Sequence, residues 1–202
     1  MSGLPILVEA RGLRVLVVGG GAVAARRLAL LVDAGARARV VAPRAGEAIR
    51  SLAAAGRIEW REVAYRTGDI GDAQLVVAAT DDRAVNAAVA ADAGRMSRLV
   101  NVVDAPEAGS FAMMATHRSG GLVLGVSADG VPGAAARIRD AIALRFDGRY
   151  ARALDVLARM RRVLLGEEKR QEWRTIAAAV IDRDFCESVE QGTLDERVAS
   201  WR

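Results

Sequence analysis

The chain is poor in reactive and stacking side chains. Its 202 residues hold one cysteine, Cys186, and one histidine, His117. A single thiol cannot close an intrachain disulfide or supply a cysteine-rich zinc site, and the sequence nominates no metal-ligating set. Aromatic residues make up 4 %, too few for a base-stacking surface. Lysine occurs once, at Lys169, so the 29 basic residues are almost all arginine. Against 25 acids they leave a net charge of +4, too modest a field to argue for nucleic-acid binding. No uncharged apolar run approaches the roughly 18 residues that a membrane span needs. The opening MSGLPILVEARG has no basic stretch followed by a long apolar one, unlike a secretory signal. The expectation is a soluble, cytoplasmic protein that binds neither nucleic acid nor membrane.

What is present is core-forming material. Hydrophobic residues are 52 % of the chain, enough for one compact domain, or one with a small appendage. The net positive charge falls entirely within residues 1–150, whereas the remainder is balanced. The short β-branched run at 14–18 reads as a buried strand, and 38–42, 58–63, 75–79 and 99–103 read as further strands. Helical segments at 22–34, 46–55 and 83–94 separate them. In the first, Ala24, Leu28, Leu31 and Val32 share a face, and Gly35 ends it as a left-handed cap. Such alternation with right-handed crossovers gives an α/β fold with a parallel sheet and helices on both faces. Beyond Ser110 the rhythm changes. Strands are expected at 111–116 and 121–127, then a helix at 134–146. From about 149 the chain reads as all-helical, broken near Gly166, Asp182 and Gly192. Trp173, Ile176, Ala177 and Val180 form an apolar stripe there.

The motif Gly19-x-Gly21-x-x-Ala24 falls between a strand and a helix. The first glycine permits a tight turn, the second lets backbone N–H groups approach a pyrophosphate, and the third small residue lets the helix pack close to the sheet. The helix N-terminus offers unpaired donors and partial positive charge. This is a dinucleotide site in context, although a structural glycine turn would share the pattern. An acid about 20 residues on usually holds the ribose. Here the second strand ends Val40-Val41-Ala42-Pro43-Arg44, and Arg44 either accepts a 2′-phosphate or faces solvent. On motif grounds the choice between NAD and NADP stays open.

Ligands in such sheets bind beyond the carboxyl ends of the strands. Thr80-Asp81-Asp82 ends the fourth strand; Thr80 and Asp81 read as helix caps, as a wall of the cofactor site, or as both. Asp104 ends the fifth strand. It reads either as a turn starter before Ala105-Pro106 or as a general base beside the nicotinamide. His117 and Cys186 read as packing residues ahead of catalysts. Arg118, Arg137, Arg139, Arg145 and Arg149 make either a solvated helix face or a receptor for a carboxylate-rich substrate.

Several stretches recur together. They are Leu4-Pro5-Ile6; Val17-Val18-Gly19-Gly20-Gly21 with Val23-Ala24 and Arg26; Ala34-Gly35-Ala36; and Val41-Ala42-Pro43. With them come Ala78-Ala79-Thr80-Asp81-Asp82 with Val85-Asn86, and Asn101-Val102-Val103-Asp104-Ala105-Pro106 with Ser110-Phe111. As a set, in order over about residues 4–146, this resembles the precorrin-2 dehydrogenase and sirohydrochlorin ferrochelatase family, the N-terminal module of siroheme synthases. The resemblance implies an NAD-binding Rossmann domain over 1–111, a dimerisation segment over 112–147 and a small helical domain over 148–202. It implies a homodimer that oxidises precorrin-2 to sirohydrochlorin with NAD, and in some members inserts Fe²⁺. Family cofactor contacts fall on Ala22-Val23 and Pro43-Arg44, beside Gly19, Gly21, Ala24, Thr80 and Asp81, and the key aspartate falls on Asp104. The chain departs from the family pattern at Met114, where a proline is usual, and at Ala128 and Val131, where hydroxyl residues are usual. Two other readings remain: a non-catalytic NAD(H)-sensing module, and a related dehydrogenase with another substrate.

Overall fold

A computed structural model describes residues 3–199. The chain divides into two compact units, up to Met113 and from Met114 onward. The first is a five-stranded, wholly parallel, Rossmann-like sheet. Its strands are β1 (Arg14–Val18), β2 (Arg37–Val41), β3 (Ile58–Arg61), β4 (Leu75–Ala78) and β5 (Leu99–Val102). They lie in the order β3-β2-β1-β4-β5. All strand pairs are parallel, so every carboxyl end points to one edge. The order reverses between β1 and β4, and that crevice is where such a sheet binds ligands.

Alternation within the central strands sends side chains to both faces. Val15 and Val17 pack with Leu28 of α1 (Ala22–Asp33) and Ile49 of α2 (Glu47–Ala54). Leu16 and Val18 pack with Val89 and Ala93 of α3 (Arg83–Arg95) on the other face. Ala24, Leu28, Leu31 and Val32 are all buried, as the helical spacing requires. Gly35 follows with φ +94°, a left-handed turn that sends the chain into β2.

The second unit opens with a hairpin of β6 (Ala115–Ser119) and β7 (Leu122–Val126). Ser119 pairs with Leu122, which leaves a two-residue turn with Gly120 at φ +57°. That turn sets the register and corrects the expected strand at 111–116, because pairing reaches back only to Ala115 opposite Val126. The Phe111 carbonyl instead accepts from Asn101 Nδ2 at 3.1 Å. Five helices follow: α4 (Pro132–Arg145), α5 (Gly148–Gly166), α6 (Arg170–Val180), α7 (Phe185–Gln191) and α8 (Leu194–Ala199). The α6 stripe buries Ile176 and Val180 against Leu157, Leu164 and Val198.

Exposed ion pairs and capping bonds brace this unit. Glu190 accepts from the Tyr150 hydroxyl at 2.6 Å and from Arg145 at 2.7 Å, and these hold its carboxyl below the usual range. Arg197 does the same for Asp182, and Arg149 for Asp147. Carboxylates with lowered folded values stabilise above the ordinary carboxylate range, and that contribution fades as pH falls through the lowered values. Thermal melts by circular dichroism should therefore lose midpoint on acidification from about pH 5 to about pH 3. Glu190→Gln should flatten that dependence; an unchanged profile would remove Glu190 from the account.

Candidate active site

Four loops meet over the carboxyl ends of β1, β2, β3 and β4. They line a cleft of about 530 Å³ that includes Gly19–Gly21, Pro43, Arg44, Tyr65, Thr80 and Asp81. Each glycine has a different reason to be there. Gly19 takes φ +122°, and a Cβ on it would stand 2.3 Å from the Ala79 carbonyl oxygen. Gly20 faces the β2–α2 loop, where a Cβ would stand 1.9 Å from the Arg44 carbonyl oxygen. Its own carbonyl accepts from Gly46 N–H at 2.9 Å. Gly21 is the N-cap of α1 and has nothing within 4 Å of an added Cβ, so it presents open backbone.

The α1 N-terminus has no side-chain cap and no acid in its first turn, leaving its first N–H groups as donors for an anion. Ala22 and Val23 form that exposed first turn, while Ala24 is fully buried in the core. Ala24 therefore permits close helix packing rather than offering a side chain to a ligand. This cradle fits a dinucleotide pyrophosphate. At the end of β2 the lining runs Val41 to Gly46 without an acid, with Arg44 exposed.

Sequence reasoning passed over Gly20 and Tyr65. The spacing rule treats the middle glycine as free, and only the neighbouring loop makes it obligatory. Tyr65 lines the cleft and donates its hydroxyl to Asp92 at 2.8 Å. Burial first, and then that carboxylate, push the phenol well up, so it stays protonated.

The helix cap on this edge is Asp82, which accepts from Ala84 N–H at 2.8 Å and Val85 N–H at 3.3 Å. The expected caps, Thr80 and Asp81, lie two residues and one residue before it. Thr80 instead engages Asn86. Its N–H donates to Asn86 Oδ1 at 3.1 Å, and its carbonyl accepts from Asn86 Nδ2 at 3.1 Å. Asn86 Nδ2 also donates to Asp104 Oδ1 at 2.8 Å. Arg83 Nε lies 3.7 Å from Asp104 Oδ2. The Asp104 side chain is 28 % exposed, neither sealed nor free. It does not line the cleft itself but is joined to Thr80, which does. Asp104 is thus a partly exposed carboxylate held at one oxygen by Asn86, with an arginine near the other.

The family model described as "Putative NAD(P)-binding" matches residues 6–115. The chain belongs to that NAD(P)-binding family. It is also 39 % identical over 198 residues to the siroheme synthase of Pseudomonas fluorescens (strain Pf0-1), covering 98 % of this chain and 41 % of the relative. The siroheme synthase of Methylococcus capsulatus (strain ATCC 33009 / NCIMB 11132 / Bath) is 40 % identical over 169 residues, 81 % of this chain and 36 % of the relative. The chain thus spans about two fifths of the length of these curated relatives. Among solved structures, SirC, a precorrin-2 dehydrogenase, superimposes with a TM-score of 0.75 at 26 % identity, covering 98 % of both chains. That likeness extends through both units and bears out the Rossmann-like sheet with a helical C-terminal region.

The remaining nominated residues lie in the second unit. His117 Nε2 is 2.6 Å from the Phe146 carbonyl oxygen, a bond that ties the hairpin to the end of α4. Arg139 pairs with Asp140, Arg145 with Glu190 and Arg149 with Asp147. Cys186 is half-buried and packs in the helical core. Among the described residues no three His, Cys, Asp or Glu side chains gather as a metal site, and no helix is long and apolar enough to cross a membrane.

Proposed function

We propose that the chain catalyses the NAD-dependent oxidation of precorrin-2 to sirohydrochlorin, with Asp104 as the base. One observation carries the reading: a partly exposed carboxylate is fixed, through Asn86, to the wall of a dinucleotide cleft at the sheet's switch point. The likeness to SirC along the full chain supports the substrate. The reaction takes one hydride and one proton from the reduced macrocycle, giving sirohydrochlorin, NADH and H⁺. When bound, NAD⁺ supplies the hydride acceptor. The protein's part is positioning and proton removal. The Gly19–Gly21 loop and the α1 N-terminus would hold the pyrophosphate, with Ala22 and Val23 in the contacting turn. Pro43 and Arg44 at the β2 end and Thr80 and Asp81 on the opposite wall would hold the rest of the dinucleotide. Asp104 takes the proton.

The assay is incubation with precorrin-2 and NAD⁺, following sirohydrochlorin and NADH absorbance together. Stoichiometric growth of both supports the reading. NAD⁺ binding without oxidation would overturn it in favour of a nucleotide sensor. Arg44 also tests cofactor choice. For an NAD enzyme, Arg44→Ala should change KM for NAD⁺ by no more than about threefold. A rise above about tenfold seen only with NADP⁺, as the better cofactor, would reverse that choice.

We also read the protein as a cytoplasmic homodimer joined through residues 112–147, between a cofactor domain over 1–111 and a helical domain over 148–202. Support comes from how little the middle segment buries on its own. Neither β6 nor β7 holds a buried residue, and on α4 Leu144 is 84 % exposed. Sedimentation equilibrium should return twice the chain mass, and Leu144→Glu should return the monomer.

A further inference from the structure

A fully buried amide sits on the buried face of α3, which also holds Asp92. Asn86, Val89 and Ala93 share one side of α3, and all are 0 % exposed. Asparagine has no helical advantage there, and its amide is costly in the interior unless every group is paired. Here every group is. Oδ1 receives Thr80 N–H at 3.1 Å and has the Thr80 hydroxyl at 2.8 Å; Nδ2 donates to the Thr80 carbonyl at 3.1 Å and to Asp104 Oδ1 at 2.8 Å. The backbone fixes the orientation. Thr80 N–H can only donate and Thr80 C=O can only accept, so a flipped amide would set donor against donor and acceptor against acceptor. The N–H left over must point at Asp104.

We infer that Asn86 is the positioning residue of the proposed reaction: it holds Asp104 at a set distance from the Thr80 wall of the cleft and reserves Oδ1, so that Oδ2 takes the proton. The inference rests on the dehydrogenase reading for the proton's origin, but the bond itself is independent of it. An amide N–H cannot accept, so a proton arriving on Oδ1 would face a donor. Oδ2 receives no amide bond; its neighbour is the exposed Arg83 guanidinium, an ion pair at 3.7 Å, longer than a hydrogen bond. The other contacts of the amide stay within Thr80. The fourth bond reaches past them to the end of β5.

Two measurements decide it. In ¹⁵N-labelled full chain, the Asn86 side-chain NH₂ pair is assigned by its loss in Asn86→Asp. Asp104→Ala should then shift one proton of the pair upfield and leave its mate, bound to the Thr80 carbonyl, in place. A pair that does not respond overturns the inference whether or not the chain oxidises precorrin-2. In turnover, Asn86→Asp keeps the shape and the acceptor for Thr80 N–H but cannot offer Asp104 a fixed donor. It should lower kcat by about a hundredfold, with KM for NAD⁺ within about threefold of the parent. Asn86→Ala should lose as much kcat and also some thermal stability. Parental kcat in Asn86→Asp would overturn the inference while leaving the dehydrogenase reading intact. An inactive parent chain would overturn that reading and leave the inference to the spectrum.

Discussion

Asp104→Asn is expected to abolish most turnover while leaving the protein folded and loaded with NAD⁺. Asparagine matches the carboxylate in shape, and its Oδ1 can still accept from Asn86 Nδ2, so the hydrogen bond at 2.8 Å that ties β5 to α3 survives. What disappears is the capacity to take a proton at Oδ2. Positioned general bases contribute about 10² to 10⁴ in rate, so kcat should fall within that range. NAD⁺ affinity should stay within about threefold, because Asp104 does not line the cleft. Stopped mixtures of enzyme, precorrin-2 and NAD⁺ give the rate; fluorescence titration with NADH gives the affinity. Equal turnover in the variant would remove Asp104 as the base. A large loss of NADH affinity would instead make Asp104 part of the cofactor wall.

Local rules carried far along this chain where a single element decides its own fate. Four of the five parallel strands were legible as short apolar runs rich in β-branched residues and bounded by glycine or a polar turn, whereas β3 (IEWR) shows only Ile58 of that kind. The buried stripe of α1 was legible because Ala24, Leu28, Leu31 and Val32 repeat at helical spacing. Legibility failed where the decision belongs to a neighbour. The start of β6 depends on the turn at Gly120-Gly121, not on the apolar character of Phe111 to Met114. The α3 cap fell to Asp82 because Thr80 was already committed to Asn86, four residues into the helix. In the site, Gly19, Gly21 and Asp104 could be named from motif and strand end. Asn86 could be seen only as part of a recurring string, since its role depends on a contact 18 residues away in sequence. Tyr65 gave no motif signal, because it reaches the cleft through the chain path after β3.

Gly20→Ala and Gly21→Ala should separate folding from binding within one loop. At Gly20 the added Cβ meets only backbone: the Arg44 carbonyl oxygen at 1.9 Å, its carbon at 2.9 Å and Ala45 Cα at 2.9 Å. No side chain can rotate away, so the β1–α1 and β2–α2 loops must part and strain the Gly46–Gly20 hydrogen bond. Overpacking of this kind costs about 1–3 kcal/mol, which for a unit of this size lowers Tm by several degrees, roughly 4–8 °C per kcal/mol. The same displacement spoils the cradle, so NAD⁺ affinity should fall by more than about tenfold. At Gly21 the added Cβ meets nothing within 4 Å, so the cost is only the N-cap preference for glycine over alanine, about 0.5–1 kcal/mol. Its Tm should fall by no more than a few degrees, less than in Gly20→Ala. Yet that methyl group stands where a pyrophosphate would approach the α1 N–H groups, so affinity should again fall by more than about tenfold. Differential scanning fluorimetry and NADH titration on the two variants read both quantities. Parental affinity in Gly21→Ala would show that the loop does not face the pyrophosphate. An unshifted Tm in Gly20→Ala would show that the two loops are not interlocked.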